Sequence, residues 1–222
     1  NKIIFIHIPR TGGSEFSNHY YNDVLSSHLP VEIYNKYCSY GDFDAKHFRY
    51  KDYKHFIGPK IKEYKLVTVV RNTYDLAVSN WRMHLRNYND YNERHKNFVK
   101  DFPSFVSWLE LQKDKSEQGK NNTWLTPYES MRQKTYLNGA PDCEIIRYES
   151  YNDGVHKFFK THFNIQTNLT RLTDKQLEEN KEYNNRKLDY REYYNPKLEQ
   201  RIRNLYRDEI EHFDYKIEWW RI

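Results

Sequence analysis

The 222-residue chain holds only two cysteines, Cys38 and Cys143, placed far apart. That excludes the dense disulfide framework of small secreted domains, and the simplest reading is two lone thiols in a reducing compartment. No Cys/His spacing of the zinc-binding kind occurs, and His7, His19 and His28 form no cluster with the cysteines, so no metal is expected. No apolar run approaches the length of a membrane span. The first apolar run begins at residue 3, which leaves no room for a signal peptide, and the expectation is a chain with no membrane association that works in the cytoplasm. Hydrophobic residues are scarce, at 37%, and mean hydropathy is −1.08. There is no internal repeat and no recognisable nucleic-acid module, so no nucleic-acid partner is expected. Nothing in the sequence assigns an oligomeric state.

Aromatic residues are abundant instead. Twenty-one Tyr, 12 Phe and 5 Trp make up 17% of the chain and offset the shortage of aliphatic side chains. A tyrosine buries its ring while its hydroxyl stays wet, so the expectation is a folded protein with a tyrosine-rich surface. The net charge of +5 suits a polyanionic ligand. The length fits a single domain over 1–222, with a polar insertion around 88–122.

Residues 3 to 14 read IIFIHIPRTGGS. Ile3 to Ile8 is a short apolar run with one histidine, the pattern of a strand buried on both faces. Pro9 stops it, Gly12 and Gly13 allow a tight turn whose N–H groups converge on an anion, and Ser14 stands where it can cap a helix. A Walker A loop would need a lysine directly after its glycines; here the cation, Arg10, precedes them. Residues 65 to 81 repeat the logic with KLVTVVRNTYDLAVSNW. Leu66 to Val70 is a β-branched run, and Arg71 stands at its carboxyl end, where open α/β sheets bind ligands. Asn72 or Thr73 can cap the following helix, with Ser79 two turns along it. An arginine fork and a serine hydroxyl both suit phosphate, so two strand-ending anion sites call for a ligand with phosphate-like groups at both ends.

The remaining pattern alternates strands with helices. A helix is expected from Ser14 to about Ser26 and a strand over Ile33–Tyr37; residues 39–64 are mixed and polar, with His47, Phe48, Tyr50, Tyr53, His55 and Phe56 irregularly spaced. Helices follow over 73–87 and Phe102–Lys113, separated by a polar, mobile connection at 88–101. Lys113–Asn122 reads as a solvated loop, and Tyr128–Leu137 as helical. Glu144–Arg147 is a third strand, and His156–Phe163 belongs to another helix. Thr173–Lys181 reads as a capped helix, and Pro196 opens a long last one to about Phe213. This order predicts an α/β fold, a three-layer sandwich around a central, mostly parallel sheet.

HIPRTGGS resembles the 5′-phosphosulfate loop of sulfotransferases, commonly HIPKTGGT, and VVRNTYDLAVSNW resembles their 3′-phosphate segment, commonly VRNPYDRAVSxW. CEIIRYESY, from Cys143 to Tyr151, is similar to the family's strand ending in R-[FY]-E. Asp189 to Tyr215 is similar to its C-terminal stretch of a YREYY-type lead, a helix and a closing F-G-Y. The nearest likeness is to the carbohydrate-type branch, which includes heparan and chondroitin enzymes and bacterial relatives. The resemblance implies a P-loop-like phosphosulfate-binding loop and transfer of a sulfuryl group from 3′-phosphoadenosine 5′-phosphosulfate (PAPS) to a hydroxyl-bearing acceptor, a carbohydrate or small alcohol. Adenosine 3′,5′-bisphosphate would be the product.

By this resemblance Arg10, Thr11, Gly12, Gly13 and Ser14 surround the phosphosulfate, and Arg71 and Ser79 take the 3′-phosphate. The family has lysine at the position of Arg10; arginine keeps its proton, so its role here is electrostatic. His47, between the first strands and Arg71, is the candidate general base; Glu15 is second and His55 third. Trp81 and Tyr148 are either adenine platforms or core aromatics, and Glu149 either touches ligand or holds a loop. Asn185, Arg186, Lys187 and Tyr190 stand where relatives close over the 3′-phosphate; Lys187 is the cofactor-binding candidate there, against a solvated charge run. Two other classes fit less of the pattern: a nucleotide kinase-like phosphotransferase, which needs the missing lysine and carboxylates for Mg²⁺, and a non-catalytic nucleotide- or polyanion-binding module.

Overall fold

The computed structural model describes residues 2–13, 15–16, 47–117, 126–166 and 189–217. Most of the expected 14–26 helix, the 33–37 strand, residues 118–122 and the 173–181 helix lie outside them. So do Ser14, Asn185, Arg186 and Lys187.

Strand β1, Lys2–Ile6, opens the chain. Helix α1, Tyr50–Ile57, starts where the Asp52 carboxylate accepts from both the backbone N–H and Nε of Arg49, at 2.9 and 3.1 Å. A 3₁₀ turn over Gly58–Glu63 leads into β2, Tyr64–Val70. Helix α2, Thr73–Arg86, is capped by Asn72, whose Oδ1 accepts from Tyr74 N. Asn92 caps α3, Glu93–Val99, and α4 runs from Phe102 to Glu117. Two short helices follow, α5, Pro127–Ser130, and α6, Gln133–Leu137. Strand β3 is Glu144–Arg147, and α7 is Tyr151–Phe163, ended by Asn164 in the left-handed region. Helix α8, Pro196–Leu205, has proline in its first turn, and α9 is Arg207–His212.

The fold is therefore α/β, with a small parallel sheet in a mostly helical chain. In the described part of 39–64, Tyr50 and Tyr53 bury one face of α1. Two expectations are corrected. The 88–101 stretch is not a mobile connection: it is a 3₁₀ turn and α3, with Val99 fully buried and Tyr88, Tyr91 and Phe98 packed on the core. The long last helix breaks at Tyr206, which leaves helical backbone angles (φ −126°, ψ 33°) with its side chain fully buried.

The chain divides into two compact units. The first takes the described residues up to Arg71 and those from Lys134 to 166. Its sheet has the order β1-β2-β3, every pair parallel, with Ile6 beside Thr68 and Val70 beside Arg147. Ile3, Phe5, Val67, Val69 and Ile146 pack with Tyr151, Val155, Phe158 and Phe159 of α7, spaced so that one helical stripe faces the sheet. The one polar side chain at the middle of β2, Thr68, is tolerated because its hydroxyl donates to Ile6 O at 2.7 Å.

The second unit takes Asn72 to Gln133 and the described residues from Asp189 onward. Leu76, Trp81, Phe102, Phe105, Leu109, Ile202 and Tyr206 belong to its core. Trp81 Nε1 donates to Val99 O at 2.9 Å, and Tyr194 OH to Tyr74 O at the same distance. Arg201 grips Glu110 with two N–H groups, at 2.8 and 2.6 Å, a paired geometry that ties α8 to α4. No helix among the described residues is long and apolar enough to cross a membrane.

A histidine pair, His84 buried and His95 half-buried, marks this second core. His84 of α2 is 9% exposed, its Nδ1 2.9 Å from Tyr91 OH, and its ring packs against His95, Phe105 and Trp108. Burial, with the neighbouring His95, pushes His84 down to about 4. An unfolded histidine takes its proton near pH 6.5, so between about 6.5 and about 4 the unfolded chain binds more protons and stability falls as pH falls. Hydrogen exchange of the α2 amides should show a loss on the order of 2 kcal/mol between pH about 7 and about 5. His84→Phe should remove most of that slope, and an unchanged slope would place the titrating group elsewhere.

Candidate functional site

Parallel strands deliver their carboxyl ends to one edge of a sheet, and in the first unit that edge carries three of the segments singled out in the sequence. After β1, His7 and Ile8 stay buried and the chain turns over Pro9 to Gly12. Arg10 adopts a left-handed conformation at φ 66°, and Gly12 at φ 88°. Thr11 is fully buried, and its hydroxyl braces the turn by donating to Ile8 O at 2.9 Å. Gly12 O accepts from Glu15 N and Phe16 N at 3.1 and 3.3 Å, so the helix begins at Gly13. Gly12 thus takes the capping place expected of Ser14. Phe16 anchors this first turn by stacking on Phe5, with centroids 4.3 Å apart.

The two glycines are required for different reasons. At Gly12 the left-handed backbone disfavours a side chain, and a Cβ would also come 3.2 Å from the Tyr148 ring. At Gly13 the backbone is ordinary, but a Cβ would come 2.2 Å from Cδ2 of His7. The imidazole of His7 occupies the space beneath the turn.

Arg71, directly after β2, donates from one terminal nitrogen to Arg10 O at 3.0 Å. Its guanidinium lies over the Tyr148 ring, 4.1 Å from the centroid, immediately after β3. One side chain therefore touches the exits of all three strands. Beside them His47 sets Nδ1 3.1 Å from His7 O and its ring edge-on to the His7 ring, centroids 4.6 Å apart. Arg10, Thr11, Gly12, Gly13, Arg71, Tyr148 and His47 are thus gathered in one unit.

Other candidates fall elsewhere. Glu15 is half-buried in the first helical turn, His55 is exposed on α1, and Glu149 is exposed after β3. Ser79 is buried on α2 in the second unit. Trp81 is a packing aromatic of that unit's core, against Phe102 and Tyr193. Cys143 is a free thiol pushed up to about 12, mainly by burial, so it is no thiolate near neutral pH. No group of three or more His, Cys, Asp and Glu that could hold a metal ion exists among the described residues.

Sequence reasoning missed His7, read only as a strand residue, and Tyr151, whose ring lies 3.4 Å from a Cβ placed at Gly12. A signal for His7 did exist: it is the lone polar side chain in Ile3–Ile8, five residues before a glycine pair.

Gly13→Ala should destabilise the protein by about 1–3 kcal/mol, the usual cost of forcing an atom into a packed interior. Urea unfolding would read this as a lower midpoint at unchanged slope. A stability equal to wild type would mean that His7 does not fill the space under the turn. Comparison with known proteins finds no family model that matches the chain and no match among curated proteins.

Proposed function

We propose that the protein is a PAPS-dependent sulfotransferase that moves a sulfuryl group to a hydroxyl of a carbohydrate or small alcohol. The observation that carries this reading is the meeting of Arg71 with Arg10 and Tyr148 at the exits of three parallel strands. These are the segments whose sequences resemble the family's phosphosulfate loop, 3′-phosphate segment and R-[FY]-E strand. In this reading the turn over Pro9–Gly13 is the P-loop-like loop, and the sheet is the centre of a three-layer sandwich.

The residues suit a polyanionic donor. Arg71 brings a permanent guanidinium charge to the sheet edge, donating to the Arg10 carbonyl while Tyr148 supports its face. The donor supplies an activated sulfuryl group and leaves as adenosine 3′,5′-bisphosphate. The acceptor oxygen forms the new O–S bond as sulfur parts from the bridging phosphate oxygen, which keeps the electron pair. The hydroxyl proton passes to His47 as general base, with Glu15 second in line. Arg10 stabilises charge on the departing phosphate and keeps its own proton. On the sequence resemblance alone, Ser79 and Lys187 are further candidates for the 3′-phosphate.

Thermal stabilisation of the full chain by adenosine 3′,5′-bisphosphate, compared with ATP plus magnesium, tests the class. The bisphosphate should stabilise more, by RT ln(1 + [L]/Kd) at each concentration. A preference for ATP with magnesium would favour phosphoryl transfer and end this reading. Arg71→Ala should weaken bisphosphate affinity roughly 10- to 100-fold, the loss of charge-assisted hydrogen bonds. His47→Ala should leave affinity within about threefold and lower turnover roughly 10²- to 10⁴-fold. Full turnover in His47→Ala would move the base to another residue.

A further inference from the structure

We infer that His7 is a positioning residue that holds His47 in its Nδ1–H tautomer, so that Nε2 is the nitrogen that takes a proton. The functional half of this inference rests on the reading of His47 as general base; the tautomer itself does not.

The first observation is the bond from His47 Nδ1 to His7 O, 3.1 Å long. A carbonyl oxygen has no proton to give, so the hydrogen between these atoms belongs to Nδ1. In a neutral imidazole the other nitrogen then carries the lone pair, and the hydrogen bond at one nitrogen decides the chemistry at the other. The donor and acceptor stand forty residues apart in sequence, so the fold selects the tautomer.

The second observation is the His7 ring. It meets the His47 ring edge-on at 62°, which restricts rotation of the base from a second direction. His7 itself is 3% exposed, lies 5.6 Å from the Phe5 ring, and its Cδ2 sits where a Cβ on Gly13 would be. The imidazole is wedged beneath the glycine turn, and its own carbonyl is the acceptor for His47. The turn that would hold the donor and the base that would deprotonate the acceptor therefore share one support.

The consequence for the proposed reaction is specific. When Nε2 takes the hydroxyl proton, the imidazolium's other N–H already points at a carbonyl oxygen. The new charge is stabilised without reorganisation of the site.

Imidazole ¹⁵N shifts of the ¹⁵N-labelled full chain, at pH about 8 where an ordinary histidine is neutral, test the tautomer directly. The His47 signal is identified by its loss in His47→Ala. A protonated Nδ1 with an unprotonated Nε2 is expected. An Nε2–H pattern, or shifts averaged between tautomers, overturns the inference. Two variants test His7. His7→Ala keeps the main-chain acceptor but empties the space beneath the turn that fixes it, and should shift His47 toward the averaged pattern and lower kcat at least about tenfold. His7→Phe keeps a planar ring under the turn and should restore both the pattern and most of kcat. Failure of His7→Phe to restore them overturns the positioning role. If His7→Ala does not fold, the wild-type spectrum still decides the tautomer. An Nδ1–H pattern in wild-type protein that turns over no acceptor upholds the tautomer and removes the sulfotransferase reading. An Nε2–H pattern in active protein does the reverse.

Discussion

A single guanidinium ties the three strands of the first unit at their carboxyl ends. Arg71 leaves β2, donates to the carbonyl of Arg10 beyond β1, and lies on Tyr148 beyond β3. Each contact is modest: a hydrogen bond to a charged group contributes about 1.5–3 kcal/mol, and a cation over an aromatic face about 0.5–2 kcal/mol. Together they offset what the turn itself costs. Arg10 is a residue with a side chain in the left-handed region, a strain on the order of 1–2 kcal/mol. A bond on its own carbonyl favours that conformation. Tyr148 in turn presses on Gly12, so the ring that supports Arg71 also limits what may stand in the turn.

The strands were legible because β-branched and apolar runs ending at Pro9, Arg71 and Tyr148 have few other readings. Observed bounds for β3 coincide with the expected ones, β2 extends the expected run by two residues, Tyr64 and Lys65, and β1 ends at Ile6, two residues short of the expected Ile8. The helices whose caps are asparagine or proline were legible for the same kind of reason, since Asn72 and Pro196 act locally. What escaped has a common cause in tyrosine. Counted as a surface residue, it hid the buried face of α1 and the packing of 88–101. In the fold Tyr53, Tyr74, Tyr136, Tyr194 and Tyr206 are core side chains. Tyr53, Tyr194 and Tyr206 resolve the hydroxyl problem by donating to backbone carbonyls, and burial raises the pKa of all three. In a chain with so few aliphatic residues, the expectation of a tyrosine-rich surface is corrected to a tyrosine-rich core.

The site was legible only where chemistry coincided with a strand end. Arg71 and Tyr148 follow their strands directly and Arg10 stands four residues beyond β1, so the parallel topology brings them to one edge. His47 stood out only as a histidine in the right interval, and its partner could not be read from sequence. The contact joins residues 7 and 47 through a backbone carbonyl, which leaves no trace in side-chain pattern.

The motif residues do not all bear equally on function. Thr11, Gly12 and Gly13 have sufficient reasons in the fold alone. Thr11 satisfies a carbonyl inside the turn, Gly12 avoids Tyr148, and Gly13 makes room for His7. A turn with no ligand would need the same three residues. Arg71 is different, because a neutral donor of similar reach would supply the bond to Arg10 O without placing a charge at the sheet edge. Fixing a permanent cation there restricts a long side chain and brings its charge to a partly buried place. The tie among three strands accounts for the position of that side chain; in the proposed reading an anionic donor would meet its charge. Arg71 thus carries more of the functional argument than the glycine pair that first draws the eye.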